Sequence, residues 1–436
     1  MRSALWLWPC GLLAIAACGK VNSNGGGPDG GGPGDAGGSG GPTTITFHNS
    51  IGSGQTANGA VVAYQDGDGP WQVVTGTGGT YTFPVASGRY GLMAVCERPI
   101  VAGVTPFNEV FLDYYATSDA SEHVIFADCM AVAPTFKTVN VSGTVTGLLS
   151  GDTFTIATGV GLYAAAATSW SLPALSGPGH LLALRLAAGR PIGLAFNPVT
   201  YTDGESFAID FGQAVLPADV GLTIDPSAAS PFVTATYLDA AGGLWQIDHP
   251  PAGANRYRML PADQIGDGIA LVTEQSSDNQ SGRMVEHAIK VPTAQTLTLP
   301  QTFQPASPPR TAATAPYPRY TVTLPQVTDP LAYRLGYSGA MTGGNGLVSW
   351  SVTYSAAWLA ASGQTGASFT SELPDLSALA GWKAAYALPA SNLSWNVSAT
   401  TGPHRRLPNI VVPPAQLPLR QDGDVFTQAS ASGVLP

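Results

Sequence analysis

From Thr43 onward, apolar side chains return at every second position in short runs, and glycine or proline closes nearly every run. A two-residue period belongs to a strand, whose successive side chains point to opposite faces. Thr80 to Val85 places Tyr81, Phe83 and Val85 on one side, and Ala86-Ser87-Gly88 turns the chain. Arg89 to Cys96 then aligns Tyr90, Leu92, Ala94 and Cys96. Val61 to Tyr64 and Trp71 to Val74 flank Gln65-Asp66-Gly67-Asp68-Gly69-Pro70, which is dense turn chemistry. With 53 glycines and 36 prolines as punctuation, the chain reads as all-β. Short strands at close spacing point to sandwiches.

The same rhythm divides the chain. A first module spans 43–135 and ends with a strand from His123 to Cys129. A second, at 136–217, opens on the alternation of Val139 to Val145, with Phe154 and Ile156 sharing a face further on. A third, at 218–305, carries strands at Phe232 to Leu238, Leu244 to Ile247, Gly268 to Thr273 and Met284 to Val291. A proline-rich linker at 306–318 leads to a fourth at 319–413, containing Tyr320 to Leu324, Leu347 to Tyr354 and Leu393 to Ala399. Asp375 to Ala380 is expected to form a short helix capped by Asp375. Residues 414–436 read as a loose tail. The fold expected is three or four tandem β-sandwich modules, Ig-like or transthyretin-like. The segment Tyr81-Thr82-Phe83-Pro84-Val85 followed by Gly88-Arg89-Tyr90-Gly91-Leu92 resembles the carboxypeptidase regulatory-like, or transthyretin-like, modules of secreted proteins. That resemblance implies a non-catalytic module.

Ahead of the modules lies an export signal, with a positive Arg2 and an apolar stretch from Ala4 to Ala17. As a helix it is roughly 21 Å long, short of a ~30 Å hydrocarbon core. Ile15-Ala16-Ala17-Cys18 resembles the lipobox of bacterial lipoproteins. The resemblance implies diacylglyceryl transfer to Cys18, cleavage before it and acylation of the new amino terminus; the alternative is an ordinary cleaved signal. More than one acyl chain is what makes such an anchor stable. Residues 18–42 consist of this cysteine and a tether that is almost entirely Gly, Pro, Ser, Asn and Asp. It is too poor in apolar side chains to order itself, and its r.m.s. reach is ~27 Å. Gly19 and Lys20 stand where some lipoproteins carry an aspartate that retains them in the inner membrane, so the expected address is the outer membrane.

Charged residues make up 11% of the chain and the net charge is −10, which argues against a nucleic-acid partner. Of four cysteines, Cys10 leaves with the signal and Cys18 takes lipid. Cys96 and Cys129 remain, and an isolated pair in an oxidising envelope suggests a disulfide. Closing that loop would add roughly 3–4 kcal/mol; buried free thiols are the alternative. A metal would need two further ligands. Asp66 and Asp68, like Asp422 and Asp424, could meet one Ca²⁺, but a calcium loop wants six to eight oxygens, and a polar hairpin turn explains the first pair more simply. His48, His123, His180, His249, His287 and His404 form no ligand or catalytic motif. Trp71, Trp170, Trp245, Trp350, Trp358, Trp382 and Trp395 could stack on sugars, although large aromatics also fill β cores. Arg256-Tyr257-Arg258 and His404-Arg405-Arg406 read as basic loop surface, or as contacts to acidic glycans.

The expected function is a membrane-anchored envelope protein with a non-catalytic binding or structural role. It would use no cofactor, and its partners would be the membrane, through the lipid, and an envelope protein or polysaccharide. Two rivals are a hydrolase of extracellular polymers with a cleft between modules, and calcium-dependent adhesion through the Asp66 turn.

Overall fold

The computed structural model describes residues 41–50, 58–98, 106–126, 138–158, 162–165, 168–228, 230–239, 243–278, 280–341, 346–411 and 419–435. The fold is all-β, with 56% of the described residues in strands and 5% in helices. The strands fall into four blocks of seven. The first block holds β1 (Thr43–Ser50), β2 (Val61–Asp66), β3 (Gln72–Val73), β4 (Thr80–Val85), β5 (Arg89–Arg98), β6 (Phe107–Ala116) and β7 (Glu122–Phe126). The second holds β8 (Thr138–Thr146), β9 (Thr153–Ala157), β10 (Leu162–Ala165), β11 (Ser169–Leu175), β12 (Gly177–Ala187), β13 (Arg190–Tyr201) and β14 (Ser206–Asp210). The third holds β15 (Ala218–Thr223), β16 (Pro231–Leu238), β17 (Leu244–Asp248), β18 (Arg256–Met259), β19 (Ile269–Ser277), β20 (Ser281–Ile289) and β21 (Gln295–Thr296), with the short helix α1 (Ala262–Ile265). The fourth holds β22 (Arg310–Ala313), β23 (Arg319–Pro325), β24 (Ala332–Ala340), β25 (Leu347–Ser355), β26 (Ser368–Glu372), β27 (Leu393–Thr401) and β28 (Val425–Leu435), with α2 (Ala356–Ala361).

One strand order recurs. The fourth, first and seventh strands of a block make a three-stranded sheet: β4-β1-β7, β11-β8-β14 and β18-β15-β21. The other four line up as β3-β2-β5-β6, β10-β9-β12-β13 and β17-β16-β19-β20. In each small sheet the first strand runs antiparallel to the fourth and parallel to the seventh. The fourth block keeps this plan one place along, as β25-β24-β27-β28 over β26-β23, and β22 fills the free side of β23 as an antiparallel partner. The order repeats although the residues do not.

Three of the four-stranded rows join edge to edge into one twelve-stranded sheet. β20 pairs antiparallel with β28, setting Glu286 opposite Phe426, and β25 pairs parallel with β6, setting Val352 opposite Leu112. Residues 414–436, expected as a loose tail, therefore contain a strand paired on both sides. The register carries Val61, Met93, Leu112, Val352 and Leu335 onto one face, where Val322, Leu324 and Phe369 cover them. The β4-β1-β7 sheet covers the opposite face of the first block, packing Ile45, Phe47 and Phe83 on Leu92 and Ala94. β5 is buried without a break from Tyr90 to Cys96 for that reason.

The second block lies outside this sheet with a core of its own around Phe154, Ile156 and Trp170. It docks on the third block by adding Leu182, Leu184 and Leu194 to that block's core. Arg190 grips the buried Asp248 with two bonds of 3.0 and 2.6 Å. Arg258 donates to Pro191 O at 2.6 Å, and Arg256 pairs with Asp219. The Arg256-Tyr257-Arg258 triplet is thus strand β18, not loop surface. No helix among the described residues is long and apolar enough to cross a membrane.

Two further expectations need correction. The helix forms at Ala356–Ala361, where Ser355 Oγ accepts from Trp358 N at 3.0 Å, and Asp375 instead closes a local turn onto Ser377 N. The disulfide is the other. A bond needs two sulfurs about 2.0 Å apart, and no such pair stands among the described residues. Cys96 is buried in the first core, while Cys129 lies outside the described residues.

Candidate functional site

The polar side chains a catalytic site would need do meet, at the junction of the first and fourth blocks, but in structural roles. The segment running from His404 to Val411 lies against β6 and β7. Val124 N donates to Asn409 O, Val411 N to Glu122 O, and Asn409 Nδ2 to Asp113 Oδ2 at 2.9 Å. His123 is fully buried, and burial lowers its pKa to about 4 against the pull of the Asn409 and Ala120 carbonyls. Its Nδ1–H faces Asn409 O at 3.2 Å, so Nε2 is left to accept from the Tyr90 hydroxyl. A neutral imidazole held in one tautomer serves as a strut.

Asp119 accepts from Ala116 N at 2.8 Å and from Ser355 Oγ, while His404 Nε2 approaches its other oxygen at 3.4 Å. Serine, aspartate and histidine are therefore neighbours in the wrong order. A nucleophile needs its base on the hydroxyl, and here the carboxylate stands between them while Ser355 caps α2.

Asp113 offers a test of this junction. Burial pushes its pKa up to about 6, against the Thr353 hydroxyl, the Asn409 amide and Arg334, and Oδ1 has no partner in hydrogen-bonding geometry. The folded value lies above the ordinary 3.8. The native state therefore holds the extra proton between about pH 4 and 6, and stability falls as pH rises through that window. Asp113→Asn keeps the acceptor for Asn409 and gives Thr353 a donor. It should stabilise the protein by about 2–3 kcal/mol at pH 7 and by almost nothing at pH 4. Urea midpoints at the two pH values check this, and equal shifts at both would contradict it.

The remaining sites named from sequence are dispersed. Cys18 lies outside the described residues. Asp66 accepts from the Ala86 and Ser87 amides at 2.9 Å, and Asp68 pairs with Arg89, so both carboxylates are occupied by the hairpin. His404-Arg405-Arg406 is a helical turn whose arginines pair inward, Arg405 with Asp424 and Arg406 with Glu286. His48 pairs with Glu122, His180 with Asp239, and His287 with Gln295. Among the described residues no group of three or more His, Cys, Asp or Glu could hold a metal ion.

An open groove lies where the third and fourth blocks meet. Its volume is about 280 Å³, and Gln280, Gln304, Pro305, Pro308, Trp395, Ser432, Gly433 and Val434 line it. Trp395 on β27 stands opposite Gly433 on β28. A Cβ at Gly433 would come within 2.7 Å of the indole, so glycine is what lets the ring lie against the strand. Ser432 N donates to Gln280 O, which brings the β19–β20 turn to the groove. Phe303, buried in the core, ties down the 304–308 wall. Sequence reading singled out Trp395 but took this wall for a boundary. No motif marks Gln280, Gln304 or Ser432.

No family model matches the chain, and no curated protein matches it. Among solved structures, the Bacillus anthracis TIE protein aligns at 12% identity over 60% of this chain and 51% of its own length. The TM-score of 0.14 carries no argument about fold or function. The chain thus spans about half of that protein.

Proposed function

We propose that this is a lipid-anchored envelope protein with a non-catalytic binding role, built as four tandem β-sandwich modules of the transthyretin-like kind. The recurring strand order supports the four-module reading, since each block pairs a three-stranded with a four-stranded row. The observation that carries the function is the succession of parts: lipobox at Ile15–Cys18, glycine-rich tether, then a β body bearing an open groove. A tether of ~27 Å r.m.s. reach would hold the body clear of the lipid headgroups. Gly19 and Lys20 favour the outer membrane.

Cys18→Ser tests the anchor. The unaltered chain is expected to enter the detergent phase and to incorporate labelled palmitate, whereas the serine variant should do neither. A serine variant that is still processed and membrane-bound would overturn the proposal.

A further inference from the structure

We propose that the groove between the third and fourth blocks binds an uncharged sugar ring of a polysaccharide; this rests on the binding role just proposed and names its ligand class. The four polar groups in the groove wall are the starting point. Gln280, Gln304, Ser432 and Trp395 line one opening, and neither the two carboxamides, the hydroxyl nor the Nε1–H has a side-chain hydrogen bond among the described residues. By contrast, the carboxylates of Asp66, Asp119, Asp248 and Glu286 are all held by protein donors. A small number of polar groups around a cleft is what fixes a ligand's orientation there.

The chemistry of the lining narrows the ligand. None of the eight lining residues carries an ionisable side chain, so an ion entering the groove would lose hydration without a counter-charge. A carboxamide offers two donors and an acceptor, and a hydroxyl offers both functions. Vicinal sugar hydroxyls, each of which donates and accepts, match that set. Pro305, Pro308 and Val434, which is 67% exposed, supply apolar contact for the C–H face of a ring, with only the edge of the largely buried Trp395 beside them. A volume of about 280 Å³ falls just below the ~300–1,000 Å³ of drug-sized pockets, so it suits one ring at a time. An extended peptide fits less well. Peptides that add a strand need a free backbone edge; β28 is paired on both sides up to Ala431, and beyond it Ser432 N is already bonded to Gln280 O.

The test uses the full chain, purified in detergent from whichever cell fraction holds it. The probes are maltohexaose, cellohexaose and chitohexaose, with an oligogalacturonate and a proline-rich decapeptide as competitors of different chemistry. Calorimetry and saturation-transfer NMR are the readouts. At least one neutral hexasaccharide should bind. Gln280→Ala combined with Gln304→Ala should weaken it ten-fold or more with an unchanged melting temperature, because both side chains are exposed. Gly433→Ala should weaken it too, by displacing Trp395. Three outcomes overturn the proposal: no neutral probe binds, the double variant binds as well as the parent, or the uronate or peptide binds and the double variant abolishes that binding instead. The assay is blind to the anchor, so failure here leaves the Cys18→Ser result standing, and the reverse also holds.

Discussion

Ending the chain after Asp424 should abolish cooperative folding of the body, although only the last twelve residues would be lost. β28 is the seam strand of the twelve-stranded sheet. Its register runs from Ser281↔Ala431 to His287↔Val425 on one side and from Leu393↔Leu435 to Thr401↔Thr427 on the other. Removing it strands two neighbours at once and uncovers Val285 and Val397, both fully buried. At roughly 0.5–1.5 kcal/mol per net hydrogen bond, the two lost ladders together rival the 5–15 kcal/mol that holds a typical domain. The newly open edges would also invite aggregation. The expected result is a product that is largely insoluble, or one lacking a sigmoidal thermal transition by circular dichroism. A truncated chain melting within a few degrees of the parent would contradict this assignment of β28.

The strand was hard to read because of what it is made of. In Val425–Leu435 the inward Ala429 and Ala431 alternate with Ser430 and Ser432, and alanine against serine gives almost no hydropathy contrast. β6 was missed for a related reason: Asn108, Glu109 and Asp113 interrupt a central strand whose Val110, Leu112 and Tyr114 face the shared core. β4 and β5 were legible because large aromatics alternate around an unmistakable Ala86-Ser87-Gly88 turn. Even there only one face of β5 was foreseen, since what covers the other face is supplied by the fourth block.

The candidate site was less visible still. Pro305 and Pro308 have the composition of a linker, and Gln280 and Ser432 become neighbours only through the pairing of β20 with β28. Local pattern reports which way a side chain points, and a groove between distant blocks depends on which sheets meet. The arginines at 405, 406 and 420 illustrate the same limit, because their carboxylate partners are far away or unremarkable in sequence.

Glu286→Ala should destabilise the protein by about 3–5 kcal/mol, the usual consequence of removing one member of a buried ion pair. Glu286 lies on β20 at the seam and is 7% exposed. Arg406 Nη1 reaches its Oε1 at 2.7 Å and Arg420 Nε reaches the same oxygen at 2.9 Å. The Arg406 guanidinium also lies 4.0 Å from the centre of the Phe426 ring, directly across from Glu286. Burial works against the ionised carboxyl, but Arg420 and Arg406 outweigh it and hold the pKa below the ordinary 4.5. A lowered folded pKa means that this stabilisation is complete above about pH 4.5 and is lost as pH falls through the folded value. The alanine variant leaves two arginines packed together without their shared counter-ion, so its deficit should be full at pH 7 and shrink in acid. Glu286→Gln, which keeps an acceptor but not the charge, should lie between the two. Urea midpoints from pH 3 to 7 measure the difference, and a deficit that stayed constant across that range would show that the arginines do not depend on this charge.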